Sequence, residues 1–503
     1  MSAIMKGNFI LKNDYMSNEI SKLTPAELWE NFYQLTRIPR PSYHEEEVRR
    51  FVADFGRSLG LETIQDEVGN VIIRKPATAG MENRKGVILQ GHLDMVPQKN
   101  SDKDHDFTKD PIETIIDGEW VRANGTTLGA DNGIGVAAAM AVLASKSLSH
   151  GPVEALFTAT EETGMDGANG IKAGILKGDI LLNMDSEDEG ELYVGCAGGE
   201  DAIIKFKFEE TAVPAESITF KLNVTGLKGG HSGLDIPLGR GNANKIFFRL
   251  LKEAYKTCGV RLASINGGNL RNAIPREAFG IISVPYENAD KLVGQIAGLT
   301  TIIKRELSAT EPTLKIELAK TDTPDFLIDE KTQVNLTHAI VACPNGVIRM
   351  SDSMPGLVET STNLAIVKSD NTTKTIDVSC LMRSSVDTAR GELGSRMDSV
   401  FSLAGAEVTL KGGYPGWKPN MESPILKTMH KVYQDQYGRI PEIKAIHAGL
   451  ECGILGGKYP HWDMISFGPT IRFPHSPDEK VHIESVNKFW DFLVETLKNI
   501  PAK

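Results

Sequence analysis

The stretch Val87-Ile88-Leu89-Gln90-Gly91-His92-Leu93-Asp94-Met95-Val96 decides how this chain is read. Val87, Ile88 and Leu89 form a short apolar run suited to a buried strand, and Gly91 marks where the run gives out. Residues two apart on a strand face the same side, so His92 and Asp94 emerge together at its end. That pairing fits a metal-ligating imidazole with a carboxylate behind it, which orients the ring and raises its basicity. A lone histidine after a strand is more often an ordinary hydrogen-bonded residue. The motif therefore takes its meaning from the rest of the chain.

Working outward, the same design recurs. Strand-like runs lie at Val71 to Arg74, Gly86 to Gln90, Val153 to Thr160 and Ile180 to Met184, with an Ala-rich helix after Asp131-Asn132-Gly133 to about Ala144. Thr24-Pro25-Ala26-Glu27 predicts a capped helix start, and Ser42-Tyr43-His44-Glu45 opens a second helix in the same way, running to about Leu59. The alternation predicts an α/β fold with a largely parallel sheet covered on both faces. Acids or histidines follow several of its elements: Asp131 in a Gly-rich turn, the Glu161-Glu162 pair, Asp185, and His475 between Pro474 and Pro477. Any one of them reads as a cap or turn residue. Together, beyond the carboxyl ends of strands where open α/β sheets build sites, they read as a converging cluster.

The chain of 503 residues is long enough for two or three domains, and its 41% hydrophobic and 24% charged content is that of a globular protein. A formal charge of -11 argues against a nucleic-acid partner. Cys196, Cys258, Cys343, Cys380 and Cys452 are scattered and odd in number, without Cys-x-x-Cys, which predicts reduced thiols and a cytoplasmic location. No stretch approaches the roughly 18 apolar residues of a membrane span. The first 15 residues form a mixed polar extension without a secretory signal, and Met16 serves equally well as a start.

With these motifs in place, the chain resembles the co-catalytic zinc peptidase superfamily that includes aminoacylase and the cytosolic dipeptidases, and within it the bacterial aminoacyl-histidine dipeptidases. The stretches that carry the resemblance are 91–97 around His92, 129–133 around Asp131, Glu161-Glu162, Asp185-Ser186-Glu187 and 473–479 around His475. The stretches 227–233 around His231, 271–277 around Asn272 and 447–453 around Glu451 add to it, so that it spans nearly the whole chain after about residue 20. Arg472 and Phe473 before Pro474 depart from the glycine common before that proline in close relatives, which implies a local change in the substrate pocket.

The resemblance implies two Zn²⁺ ions, with Mn²⁺ or Co²⁺ as alternatives. Asp131 would bridge them, His92 and Asp185 would complete one shell, and Glu162 and His475 the other. Glu161 would be the general base, Asp94 would stand behind His92, and the Asp131–Asn132 peptide would be cis. His231 would stabilise the oxyanion, although a Gly-Gly-His-Ser-Gly turn histidine is the plain alternative. Asn272 and Arg383 would hold the substrate, and Glu451 is open to either its amino group or a structural role. The implied activity is hydrolysis of small dipeptides with a free N-terminus, including Xaa-His such as beta-alanyl-histidine. The rivals are a related N-acyl amino acid deacylase or tripeptidase, and a non-catalytic binding protein on the same fold. A homodimer is left open.

The expected organisation is a catalytic zinc-binding domain in two parts, 1–200 and 412–503, interrupted by an inserted α/β lid at 201–411 large enough for two small sandwiches. Its strand candidates are Ile203 to Phe208, Ile218 to Val224, Phe279 to Val284, Leu314 to Leu318, Val347 to Met350, Ala365 to Lys368, Lys374 to Met382 and Val408 to Leu410. No internal repeat is visible in the residues themselves.

Overall fold

The structure, a computed structural model, describes residues 18–503. The polar extension and the alternative start at Met16 lie outside the described residues. The described chain forms two compact units: 18–194, 420–444 and 454–503 in one, 195–419 and 445–453 in the other. The expected borders at 200 and 411 thus fall inside the second unit, within strands Gly198–Lys207 and Glu407–Tyr414. Strand pairing continues through both places, so composition there gives no boundary signal. The short segment 445–453, expected in the catalytic part, also belongs to the second unit.

The first unit is built on a mixed sheet. Its strands are β1 (Glu62–Gln65), β2 (Val71–Lys75), β3 (Val87–His92), β4 (Val153–Thr158), β5 (Ile180–Asn183) and β6 (Asp463–Ser466), in the order β1-β2-β4-β3-β5-β6. Strands Glu191–Cys196 and Glu442–Ile446 complete it. The four strands β4, β3, β5 and β6 are parallel, while β1 and β2 join antiparallel. The expectation of a largely parallel sheet therefore holds for its centre. Every residue of β3, β4 and β5 is buried, which is why these strands read as continuous apolar runs rather than alternating ones. After β3 the chain builds β4 on one side and β5 on the other, so the site-bearing ends surround a topological switch point.

Helix α1 (Ala130–Ala144) has thirteen of its fifteen residues buried and packs on β3. Small alanines let it lie close to the sheet, and its apolar content on all sides fits a core position. A second, four-stranded antiparallel sheet, not anticipated from the sequence, is formed by Ile471–Arg472, Lys480–His482, Trp120–Ala123 and Thr114–Asp117. Its strands are too short for a clear period-2 signal. Ile471–Arg472 and Lys480–His482 make a hairpin whose loop carries His475. Two expected caps are absent. Thr24 does not cap the helix Ala26–Thr36, whose N-cap is Pro25, and Ser42 does not cap the helix Glu46–Ser58, whose N-cap is Glu45.

The second unit has one main antiparallel sheet, ordered Lys315–Lys320, Ser217–Thr225, Ala278–Pro285, Arg261–Gly267, Val358–Asp370, Thr375–Ser384, Gly198–Lys207, Glu407–Tyr414. It resolves into two halves of the same βαββαβ plan. One runs continuously from Ser217 to Lys320 with helices Ala243–Cys258 and Ala289–Glu306. The other takes Gly198–Lys207 from before it and everything from helix Glu330–Ala342 to Glu407–Tyr414 after it. The halves meet through their second strands, at Asn266↔Lys368 and Gly267↔Val367. One half is inserted into the other, which is why no linear repeat shows. The sequence reading anticipated two small sandwiches but missed Arg261–Gly267, the strand that joins them.

The apolar core of this unit lies between sheet and helices. Gly280 is needed there, because a Cβ at this position would lie 2.3 Å from Phe247 Cζ and 3.0 Å from Ser264 O. Gly280→Ala is expected to destabilise the second unit by about 1–3 kcal/mol through overpacking. Gly294→Ala, in a helix with no atom within 4 Å of the added methyl, should be neutral or stabilising by up to about 1 kcal/mol. Urea unfolding of both variants checks the contrast, and equal midpoints would refute it.

Candidate metal centre

The parallel strands deliver their acids and histidines to one end of the first unit. β3 ends in His92, buried, with Nδ1 3.2 Å from Asp94 O and 3.3 Å from Asp94 Oδ1. That contact directs the Nδ1 proton to Asp94 and leaves Nε2 facing two carboxylates: Asp131 Oδ1 at 3.1 Å and Asp185 Oδ1 at 3.3 Å. The other oxygen of Asp131, Oδ2, lies 3.2 Å from His475 Nε2, which is also 3.0 Å from Glu162 Oε2. Asp131 thus gives one oxygen to a group with His92 and Asp185, and the other to a group with Glu162 and His475. In each group the ligand atoms lie within 4.8 Å of one another.

This donor set suits cations better than protons. Each imidazole nitrogen faces two carboxylates and can offer a single hydrogen, whereas one cation satisfies all three groups. Glu162 Oε1 is buried and accepts no hydrogen bond, an expense a coordinated ion removes. The protonation states tell the same story. Burial pushes Asp185 up to about 7, with Asp131 and Glu162 adding to it against the pull of His92. Burial alone would lower His92, but Asp185, Asp131 and Asp94 lift it well above the ordinary histidine range. Hydrogen bonds to Asp131 and Glu162 raise His475 to about 11. The cluster draws in positive charge from whatever source is present.

The supports come from distant parts of the chain. Asp94, expected only behind His92, also accepts the backbone N–H of Glu161 on Oδ1 at 2.9 Å and that of Glu162 on Oδ2 at 3.2 Å. Ser42 Oγ donates to the same Oδ2 at 2.8 Å. Asp94 therefore fixes His92 and the Glu161-Glu162 pair at once. Thr160, immediately before the pair, has φ 54°, and Glu45 holds it by accepting Thr160 N–H at 2.9 Å and its hydroxyl at 2.8 Å. The side chain of Glu161 presents an oxygen within 4.8 Å of ligand atoms on His92 and Glu162.

Around Asp131, the Asp131–Asn132 peptide is cis. Asn132 Nδ2 donates to Met184 O at 2.6 Å, and Gly91 must be glycine because a Cβ there would meet Asn132 Oδ1 at 2.3 Å. Glu479, from the His475 hairpin, accepts the four N–H groups of Leu128, Gly129, Ala130 and Asp131 at 2.7–3.2 Å. Burial pushes its carboxyl up to about 7 against those hydrogen bonds. Arg40 donates to Leu93 O at 2.8 Å and Asp94 O at 3.0 Å. The sequence reading gave Glu479 and Arg40 no role and took Glu45 only as part of a helix start. The available signals were an acid four residues after His475 and an arginine between Pro39 and Pro41.

The other candidates belong to the second unit. His231 accepts the N–H groups of Gly233 and Leu234 on Nδ1, at 3.2 and 3.1 Å, which places its proton on Nε2 as a donor. Burial and Arg383 lower its pKa, keeping it neutral. Arg383 is buried, with Nε 3.4 Å from Ser232 Oγ and Nη1 3.3 Å from Tyr414 Oη. Asn272 is exposed, and its backbone carbonyl accepts Ser232 N–H at 2.8 Å. Glu451 is fully buried at the start of a helix. His447, unassigned in the sequence, is 2.7 Å from the buried Ser361 hydroxyl through Nε2.

A sheet of this topology with paired carboxylates and histidines at its parallel strand ends defines a metallopeptidase architecture, and the model of peptidase family M20/M25/M40 matches residues 88–499. The chain belongs to that family. It is 50% identical to the cytosol non-specific dipeptidase of Escherichia coli (strain K12), over 97% of this chain and 100% of that protein. It is also similar to the crystal structure of aminoacylhistidine dipeptidase from Vibrio alginolyticus, with 51% identity, TM-score 0.91, and 96% and 98% of the two chains covered. Aminopeptidase PepT from Bacillus cereus shares the fold at 15% identity and TM-score 0.55, covering 96% of this chain and 99% of that one.

Glu479→Gln is expected to turn an amide NH₂ against backbone donors, lowering stability by about 1–3 kcal/mol and loosening the Asp131 loop. Metal content after gel filtration should fall with it. Full metal content in a folded Glu479→Gln protein would show that the loop holds its own shape.

Proposed function

We propose that this chain is a metal-dependent dipeptidase acting on dipeptides with a free N-terminus, Xaa-His such as beta-alanyl-histidine among them. The observation that carries the reading is the division of Asp131 between two donor groups, with Glu161 beside both His92 and Glu162. Full-length similarity to a dipeptidase supports the substrate class. We assign two Zn²⁺ ions, replaceable by Mn²⁺ or Co²⁺, to His92–Asp131–Asp185 and Asp131–Glu162–His475. The chemistry such ions supply when bound is polarisation of the peptide carbonyl and acidification of the attacking water.

The chain's own residues do the rest. Glu161 takes the proton of the attacking water on its carboxylate and passes it to the leaving amine nitrogen. Asp94 keeps Glu161 and Glu162 in fixed relation through their backbone amides. His231, with its proton on Nε2, donates to the developing oxyanion. Arg383 and Asn272 bind the substrate, Arg383 at the carboxylate end, and Glu451 reads its amino group. His231, Asn272, Arg383 and Glu451 all belong to the second unit. Five buried free cysteines and the relative's cytosolic description support a cytoplasmic setting.

A panel of free dipeptides, N-acetylated amino acids and tripeptides tests the substrate class, and preference for either of the last two would overturn it. Chelation should abolish turnover and added Zn²⁺ restore it. Glu161→Gln is expected to keep its metal and lose about 10²–10⁴-fold in kcat, whereas Glu162→Gln should lose metal. Metal content and turnover on the same preparations decide this, and the opposite pattern would exchange the two roles.

A further inference from the structure

The hairpin that brings in His475 carries a residue that the metal centre does not use. Phe473 has φ 56° and is 59% exposed. The left-handed region is unfavourable for a bulky L-residue and costs glycine nothing. An exposed ring gains little from burial to offset that. Neither backbone preference nor core packing accounts for a phenylalanine here, and residues held against their preference concentrate where a site requires them.

The backbone on either side of the ring is anchored. On one side, Arg472 Nη1 donates to Glu187 O at 3.0 Å and Ile471 O at 2.8 Å, and Nη2 pairs with Asp188 at 2.6 Å. On the other, Glu479 is bound to four amides of the Asp131 loop. The Lys480 ammonium lies 5.8 Å from the centre of the Phe473 ring and 4.5 Å from that of Trp120. Only Pro474 separates Phe473 from His475, so their Cα atoms are at most about 7 Å apart. A large apolar side chain, open to solvent, therefore stands two positions along the chain from an imidazole whose Nε2 is 3.0 Å from Glu162.

We propose that Phe473 is a specificity-determining residue, its ring forming a platform beside His475 that receives a large apolar or aromatic side chain of the dipeptide. The inference rests on the dipeptidase reading. It assigns a preference for leucyl, phenylalanyl and similar dipeptides over those with glycine alone.

The test uses the full-length, metal-loaded chain and its Phe473→Gly and Phe473→Leu variants, with Gly-Gly, Leu-Gly, Gly-Leu and Phe-Gly as substrates. The ratio of kcat/KM for the best Leu or Phe dipeptide to that for Gly-Gly should fall about tenfold or more in Phe473→Gly, the scale of losing apolar contact in a pocket. The loss should fall mainly in KM. Phe473→Leu should retain most of the ratio. Metal content and thermal midpoint, measured alongside, separate loop damage from selectivity. A ratio unchanged in Phe473→Gly, or an equal loss on every dipeptide, would overturn the proposal. Absence of turnover on all four dipeptides by the unsubstituted chain would instead bring down the dipeptidase reading itself.

Discussion

Asp131 has to present its two carboxylate oxygens to two separate groups, and much of the first unit is arranged around that requirement. One oxygen faces His92 and Asp185, the other His475 and Glu162. A carboxylate on an ordinary helical turn would not be held in that attitude. Here Asp131 and Asn132 lie off helical geometry at the start of α1, and the amides before them are tied to Glu479. Removing the glycine at 91 or 129 would put a side chain against Asn132 or against Arg40 and Met95. The fold brings together strand, loop and hairpin so that one side chain can serve both halves of the site.

Electrostatics explains why the supports are so numerous. Glu162, Asp131, Asp185 and Asp94 are largely buried, and among the described residues His92, His475 and Arg40 oppose them nearby. An acidic cluster of this density is unfavourable in a folded chain without cations. Backbone N–H groups carry part of the load: two on Asp94 and four on Glu479. Amides are fixed donors and do not titrate, so they stabilise these two carboxylates without competing as acids or bases at the reacting centre.

The parts legible in the sequence were those with a strong local signal. β3, β4 and β5 are fully buried and apolar, and each led to a site acid or histidine within a few residues. The Ala-rich run after Asp131-Asn132-Gly133 is the buried helix α1, ending at Ala144 as expected. What stayed hidden depends on distant partners. Ser42 and Glu45 look like a helix start, yet one binds Asp94 and the other Thr160. The paired βαββαβ halves of the second unit could not be seen because the chain leaves one half, completes the other, and returns. Arg261–Gly267 was missed for a related reason: it mixes Arg, Ser and Asn into a strand whose burial comes from neighbours on both sides.

The backbone itself marks the site. Among the described residues, the non-glycine positions with positive φ are Tyr43, Thr160, Met165, Lys374, Phe473 and His475. Lys374 belongs to the turn between Val358–Asp370 and Thr375–Ser384. The other five flank groups that build the metal centre: Tyr43 follows Ser42, Thr160 and Met165 bracket the Glu161–Gly164 turn, and Phe473 and His475 share a hairpin loop. Each departs from what its side chain prefers, at a cost of order 1–3 kcal/mol. Such a cost persists only where surrounding contacts fix the geometry, and for Thr160 that contact is visible as the two hydrogen bonds to Glu45. The strain therefore traces the same residues that the charges single out, by a route independent of metal chemistry. Local propensity fails where the site demands a direction no regular element can give.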